Sequence, residues 1–229
     1  MKSFLEKLFF KATIVNKKNI FKLLEKDSAA NFLDMGCDDG AFTQHLAKYV
    51  GTNRISGIEI NSKSLRIAQK RCIKIYNFDL NGKLDFNDDS FDIIHANQVI
   101  EHIHNSDMFL SEIYRILKPG GYAIISTENA SSWCNIFASI MGWQIFSLTN
   151  FSSKKTAIGN PWALHNNEEC SLPSWNHVRI YNIRGLKEYC EAFEFRVEKF
   201  MGAGYFPLPA LMGRLDKWHA HFITIKLRK

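Results

Sequence analysis

Residues 32–42 read Phe32-Leu33-Asp34-Met35-Gly36-Cys37-Asp38-Asp39-Gly40-Ala41-Phe42. An apolar run enters a turn with two glycines, and the turn opens a segment of helical periodicity. Glycines there let backbone amides approach a ligand closely. The first turn of the helix leaves N–H groups unpaired. In dinucleotide enzymes this strand–turn–helix unit holds a pyrophosphate and reads GxGxxG. Here the third glycine is missing, and Asp34, Asp38 and Asp39 crowd the turn. Three carboxylates repel a pyrophosphate and suit a ligand with an ammonium or sulfonium group.

Outward from this turn, short apolar runs alternate with helical stretches. The runs are 30–35, 55–60, 73–76, 91–96 and 122–126, and the helices between them are 42–49, 63–70 and 107–117. Such alternation implies parallel strands covered on both faces by crossover helices. Ligands of open parallel sheets bind at the carboxyl ends of the strands, and here those ends carry acids. Glu59 closes the second run, where a carboxylate accepts from both ribose hydroxyls of an adenosine. Asp79-Leu80 follows the third, where an acid accepts from an adenine amino group. These charges favour S-adenosylmethionine over a nicotinamide cofactor.

The segments LDMGCDDGAFT (33–43), ISGIEIN (55–61), FDLNGKLDFNDDSFDIIHANQVIEHI (78–103) and LKPGGYAIIST (117–127) together resemble the class I S-adenosylmethionine-dependent methyltransferases, of the group called type 11. The resemblance implies a Rossmann-like α/β fold. Its seven-stranded, mostly parallel sheet has the order 3-2-1-4-5-7-6 and an antiparallel last strand, with helices on both faces. It also implies a cofactor set. Asp34 and Gly36 lie under the methionine part, and Gly36, Cys37, Asp38 and Gly40 form the turn around it. Glu59 holds the ribose with Ile60 on the adenine, Asp79 and Leu80 meet the adenine edge, and Asn97 and Gln98 lie beside the reacting methyl. Asp38 departs from the group's pattern, which has glycine there. Cys37 is expected to pack rather than react.

The rest of the chain sets limits. Its 229 residues are 46% apolar, enough for one sizeable core. The net charge of +6 is compatible with an anionic or membrane-proximal partner without demanding one. Residues 1–28 are expected to be a helical preface, broken near Asn16–Asn19. A peripheral membrane or partner contact through it is the sharper reading. Residues 29–229 are expected to form the methyltransferase domain. Five cysteines without CxxC spacing argue for free thiols and a cytoplasmic setting. The uncharged stretch 129–153 is too polar to span a bilayer. No nucleic-acid signature is present.

Residues 129–182 interrupt the alternation and are expected to cap the site of a small-molecule acceptor, with 151–178 as a long loop. A helix over 183–193 capped by Asn182, a strand over 195–201, a short helix over 210–218 and a final strand over 221–227 follow. The acceptor is expected to be a hydroxyl of a sugar, lipid-linked glycan, quinone or natural product. N- or C-methylation, or a non-catalytic cofactor-binding scaffold, are the alternatives. A hydroxyl usually needs a general base. His102, which Glu101 would orient, and His177 are the catalytic candidates, ahead of His104 and His165. Trp175, Arg179 and Tyr205 are the substrate-binding candidates. No metal site is expected, since no acid-plus-histidine cluster stands at ligand spacing.

Overall fold

The computed structural model describes residues 2–163 and 175–229. Its elements are α1 (Lys2–Leu23), β1 (Asn31–Met35), α2 (Ala41–Val50), β2 (Arg54–Ile58), α3 (Ser62–Gln69), β3 (Lys74–Tyr76), β4 (Phe91–Asn97), α4 (Ser106–Ile116), β5 (Leu117–Glu128), α5 (Trp133–Ile140), α6 (Ile183–Ala192), β6 (Arg196–Ala203) and β7 (Phe222–Arg228). The seven strands form one sheet in the order β3-β2-β1-β4-β5-β7-β6. β7 runs antiparallel to both neighbours, and the other pairs are parallel. Architecture and strand order are those the resemblance implies.

Side chains alternate across a strand, and the sheet uses this to build two cores. Leu33, Ile94 and Ile125 face the cluster under α4 and α6, which holds Phe109, Ile113 and Leu186. Phe32, Ile93 and Ile124 face the other side, against Ile20, Leu46 and Val50. Each such fully buried side chain contributes about 1.5–3 kcal/mol. Three described helices start on side-chain caps, among them α4, where Asn105 accepts from Met108 N. Asn61 accepts from Lys63 N and Ser64 N at α3, and Asn182 accepts from Gly185 N at α6.

Two expectations fail. α1 is one unbroken helix through Asn16 and Asn19. Both asparagines lie on its buried side and are satisfied by the sheet. The Asn16 side chain accepts from Ser126 and Thr224. Asn19 Nδ2 donates to Gly202 O over 2.9 Å. Two polar residues on an apolar face therefore do not interrupt the helix. The expected helix over 210–218 is instead two short 3-10 turns, Ala210–Arg214 and Lys217–His219. A Cβ on Gly202 would lie 2.2 Å from Gly213 O, so this segment is pressed against β6 backbone to backbone.

The inserted region contains α5 and a 3-10 turn at Phe146–Leu148. Cys37, Cys134 and Cys190 are buried, Cys72 is exposed, and all four are free. Cys170, His165 and Pro173, with the middle of the expected 151–178 loop, lie outside the described residues. No described helix is long and apolar enough to cross a membrane.

Candidate active site

The glycine turn is built by backbone bonds to β2. Gly36 N and Cys37 N both donate to Ile58 O, over 2.9 and 3.0 Å. Gly36 has φ +73°, and a Cβ there would lie 2.7 Å from Val99 Cγ2. Both facts call for glycine. Asp38 also lies in the left-handed region, at φ 47°, which aspartate tolerates better than most residues. Its carboxylate accepts from Ser64 Oγ over 2.6 Å, and its N–H donates to Glu59 Oε2 over 2.9 Å. The aspartate at the family's glycine position thus ties the turn to α3. Glu59 Oε1 accepts from Asn61 N over 2.6 Å. A carboxylate offers about four acceptor sites, so Glu59 keeps two, enough for a ribose diol.

Above this turn opens a cleft of about 800 Å³, within the usual range for small-molecule sites. Gly36, Asp38, Glu59, Ile60, Asp79, Leu80, Asn97 and Gln98 all line it, and so do His102 and Trp175. Glu59 and Ile60 follow β2, and Ile60 is 53% exposed, free to lie along a planar ligand. Asp79 Oδ1 is held by Asn81 N and Nδ2 over 2.9 and 2.8 Å.

Three other predicted cofactor residues lie beneath the cleft. Asp34 is buried and accepts from Thr43 Oγ1 over 2.6 Å, while its second oxygen meets His95 Nδ1 at 2.7 Å. It stiffens the base of the turn. Cys37 packs where a Cβ on Gly57 would lie 2.6 Å from its sulfur. Burial and the charges of Asp34, Glu59 and Asp38 push its thiol far above the usual range. A Cβ on Gly40 would lie 2.6 Å from Ile73 Cδ1 and 3.2 Å from Ala68 Cβ of α3, so Gly40 serves the close approach of the start of α2 to α3.

A second cavity of about 200 Å³ meets the first at Gln98. Phe9, Phe146 and Phe206 supply apolar wall, and Glu128, His177 and His221 supply polar groups. The Gln98 Nε2 donor is buried with no hydrogen-bond partner among the described residues, and such groups are rare unless a ligand satisfies them. Asn97 Oδ1 accepts from Asn16 Nδ2 of α1 over 3.0 Å. Burial pulls His221 down, but the Cys134 sulfur 3.4 Å away and Glu128 outweigh it and carry the imidazole up to about 9.

His102 and His177 come together, with ring centroids 4.7 Å apart. Burial, reinforced by His177, pushes His102 down to about 4, leaving it neutral at neutral pH. Full burial pushes Glu101 up to about 8, and its Oε2 accepts from Thr127 Oγ1 over 2.9 Å. Glu101, His102 and His177 thus form the acid-plus-histidine group that the sequence does not display, because His177 comes from a distant loop. Arg179 and Tyr205 line neither cavity. Arg179 donates to Ser106 Oγ at the start of α4, and Tyr205 donates to Asp216 over 2.7 Å. Sequence reasoning misses Asn16, His95, His221 and Phe9. None carries a local signal, since each reaches the site from a distant stretch of the chain.

A family profile described as a methyltransferase domain matches residues 9–199. The ubiquinone biosynthesis O-methyltransferase of Rickettsia typhi is 31% identical over 186 residues, covering 78% of this chain and 72% of that protein. The mitochondrial ubiquinone biosynthesis O-methyltransferase of Rattus norvegicus is 30% identical over 127 residues, 52% of this chain but only 36% of the rat protein's length. Among solved structures, an S-adenosylmethionine-dependent methyltransferase from Mesorhizobium loti superposes with a TM-score of 0.61 at 17% identity, covering 91% of this chain and 94% of that one. At that identity the likeness is one of fold. With strand order, turn and family profile in agreement, the chain belongs to the class I S-adenosylmethionine-dependent methyltransferases.

Proposed function

We propose that this chain transfers the methyl group of S-adenosylmethionine to a hydroxyl of a small, partly aromatic acceptor of the quinone-precursor type. The observation that carries the reading is convergence. Eight residues chosen along the sequence for cofactor contacts line one cleft, and that cleft meets a second cavity at Gln98. Glu59 would hold the ribose hydroxyls, Asp79 and Leu80 the adenine edge, and Ile60 its face. The acids at the strand ends suit a cationic ligand. The bound sulfonium supplies an activated methyl group, so positioning of the acceptor provides much of the rate.

On the acceptor side, Phe9, Phe146 and Phe206 offer ring-sized apolar wall. Gln98 offers an unused donor at the junction. His177, on that wall, would take the proton of the acceptor hydroxyl, with His102 beside it. The quinone-type acceptor takes its support from the two relatives, whose names are those of O-methyltransferases of ubiquinone biosynthesis.

The test is release of S-adenosylhomocysteine from the chain incubated with S-adenosylmethionine and a panel of phenols, sugars and amines. Turnover of phenols, lost in His177→Ala, is expected. Turnover of amines alone would overturn the acceptor class. Cofactor binding with no turnover of any acceptor class would favour the scaffold reading.

A further inference from the structure

We propose that Glu101, His102 and His177 form a divalent-cation site of the zinc type at the boundary between the two cavities. One ligand atom from each residue lies within 4.8 Å of the others. Zinc sites use such nitrogen and carboxylate donors at about 2.0–2.2 Å, which in a tetrahedral arrangement places two donor atoms about 3.3–3.6 Å apart. Binding therefore draws the three together by up to about 1 Å, through side-chain rotation.

Three observations say that this group is built to hold an ion. The first is tautomer. His102 Nδ1 meets Asn176 O at 3.1 Å, and His177 Nδ1 meets Ser147 O at 2.7 Å. A carbonyl only accepts, so each Nδ1 carries a hydrogen, and Nε2 is the ring atom left to ligate. That is how metal-binding imidazoles are oriented by their outer shell. The second is the carboxylate. Glu101 is fully buried, and Oε1 has no hydrogen-bond partner among the described residues. Such an atom is destabilising unless something satisfies it, and a cation would. The third is the frame. Val178 N donates to Glu101 O over 2.9 Å, and His177 N to Asn150 O over 3.3 Å. One backbone bond thus ties the His177 loop to the turn that follows β4, and the other ties it to the inserted region.

Three protein ligands leave a coordination position open, as catalytic zinc sites do. His102 lines the large cleft and His177 the small one, so that position borders both. Use of the ion to acidify an acceptor hydroxyl rests on the methyl-transfer reading, whereas the binding itself does not.

The test is titration of the metal-stripped full chain with zinc chloride by calorimetry, and with cobalt chloride by visible absorption. One ion per chain is expected, with visible cobalt bands that mark nitrogen ligation at low coordination number. Loss of a direct ligand should exceed the roughly 10–100-fold weakening that outer-shell changes cause, so His177→Gln and Glu101→Gln should each bind zinc more than about a hundredfold more weakly. His45→Gln, at an exposed helix position, should bind as the wild type does. No binding by the wild type, or binding unchanged in both ligand variants, overturns the proposal. The wild-type cobalt spectrum decides the matter even if a variant fails to fold. S-adenosylmethionine titrated into the same samples separates the two readings. Cofactor bound without metal removes only the cation site, and metal bound without cofactor removes only the methyl-transfer reading.

Discussion

The two cavities are built in opposite ways. The large cleft is drawn almost entirely from residues 36–104, taken in order from the ends of β1, β2, β3 and β4. The small one gathers Phe9 from α1, Phe146 and His177 from the inserted region, and Phe206 and His221 from the far end of the chain. One site is written locally and the other is assembled by the fold. The difference teaches that strand ends of a parallel sheet deliver a candidate cofactor cleft by topology alone. The wall of the small cavity, the proposed acceptor site, depends on long-range packing, above all that of α1.

That contrast can be broken or sharpened. The largest effect is expected from Ile20→Ala. Ile20 is fully buried between α1 and the sheet, and such truncations cost about 2–5 kcal/mol. The urea midpoint should fall accordingly, and an unchanged midpoint would make α1 a dispensable preface. Gly40→Ala should follow, at about 1–3 kcal/mol of overpacking. The new Cβ meets Ile73 Cδ1 at 2.6 Å and Ala68 Cα at 3.3 Å, at φ +76°. Thermal melting would read the loss.

Asn16→Ala tests the link between the halves. It removes the acceptor of two buried hydroxyls, Ser126 and Thr224, and the donor to Asn97. Deleting such a partner costs about 1–3 kcal/mol. Cofactor affinity should weaken severalfold as Asn97 loses its anchor, and calorimetry would measure it. The smallest effect concerns acid. The Arg228 guanidinium, 2.9 Å from Glu198, holds that carboxyl below its ordinary 4.5. The stabilisation is present above 4.5 and is lost as pH falls through the lowered value. Urea midpoints between neutral and acid pH should fall less steeply in Arg228→Gln, by about 1 kcal/mol or less for a pair near the surface.

Much of the fold is legible because its signals are local. The five runs from 30 to 126 fall on β1 to β5, and the strand order follows from the resemblance they support. The glycine turn is legible for the same reason, since Gly36 answers to its own φ, although its close contact with Val99 comes only with the fold. The unbroken α1 is not, because the partners of Asn16 and Asn19 lie in β5, β6 and β7. Asp34 shows a subtler limit. Its place in the motif is right, but whether its carboxylate faces a ligand or His95 depends on the register of β1 against β4, where Asp34 pairs with His95. The Glu101, His102 and His177 group is invisible along the chain because backbone bonds to a distant loop create it.

The central claim is that the cleft along the strand ends binds S-adenosylmethionine through Glu59. Calorimetric titration of the cofactor into the wild-type chain and Glu59→Ala tests it most directly. Two hydrogen bonds to a charged carboxylate, at about 1.5 kcal/mol each, amount to roughly a hundredfold in affinity. The account predicts one binding site in the wild type and about that loss in the variant. No binding by the wild type, or equal affinity in the two, would contradict it.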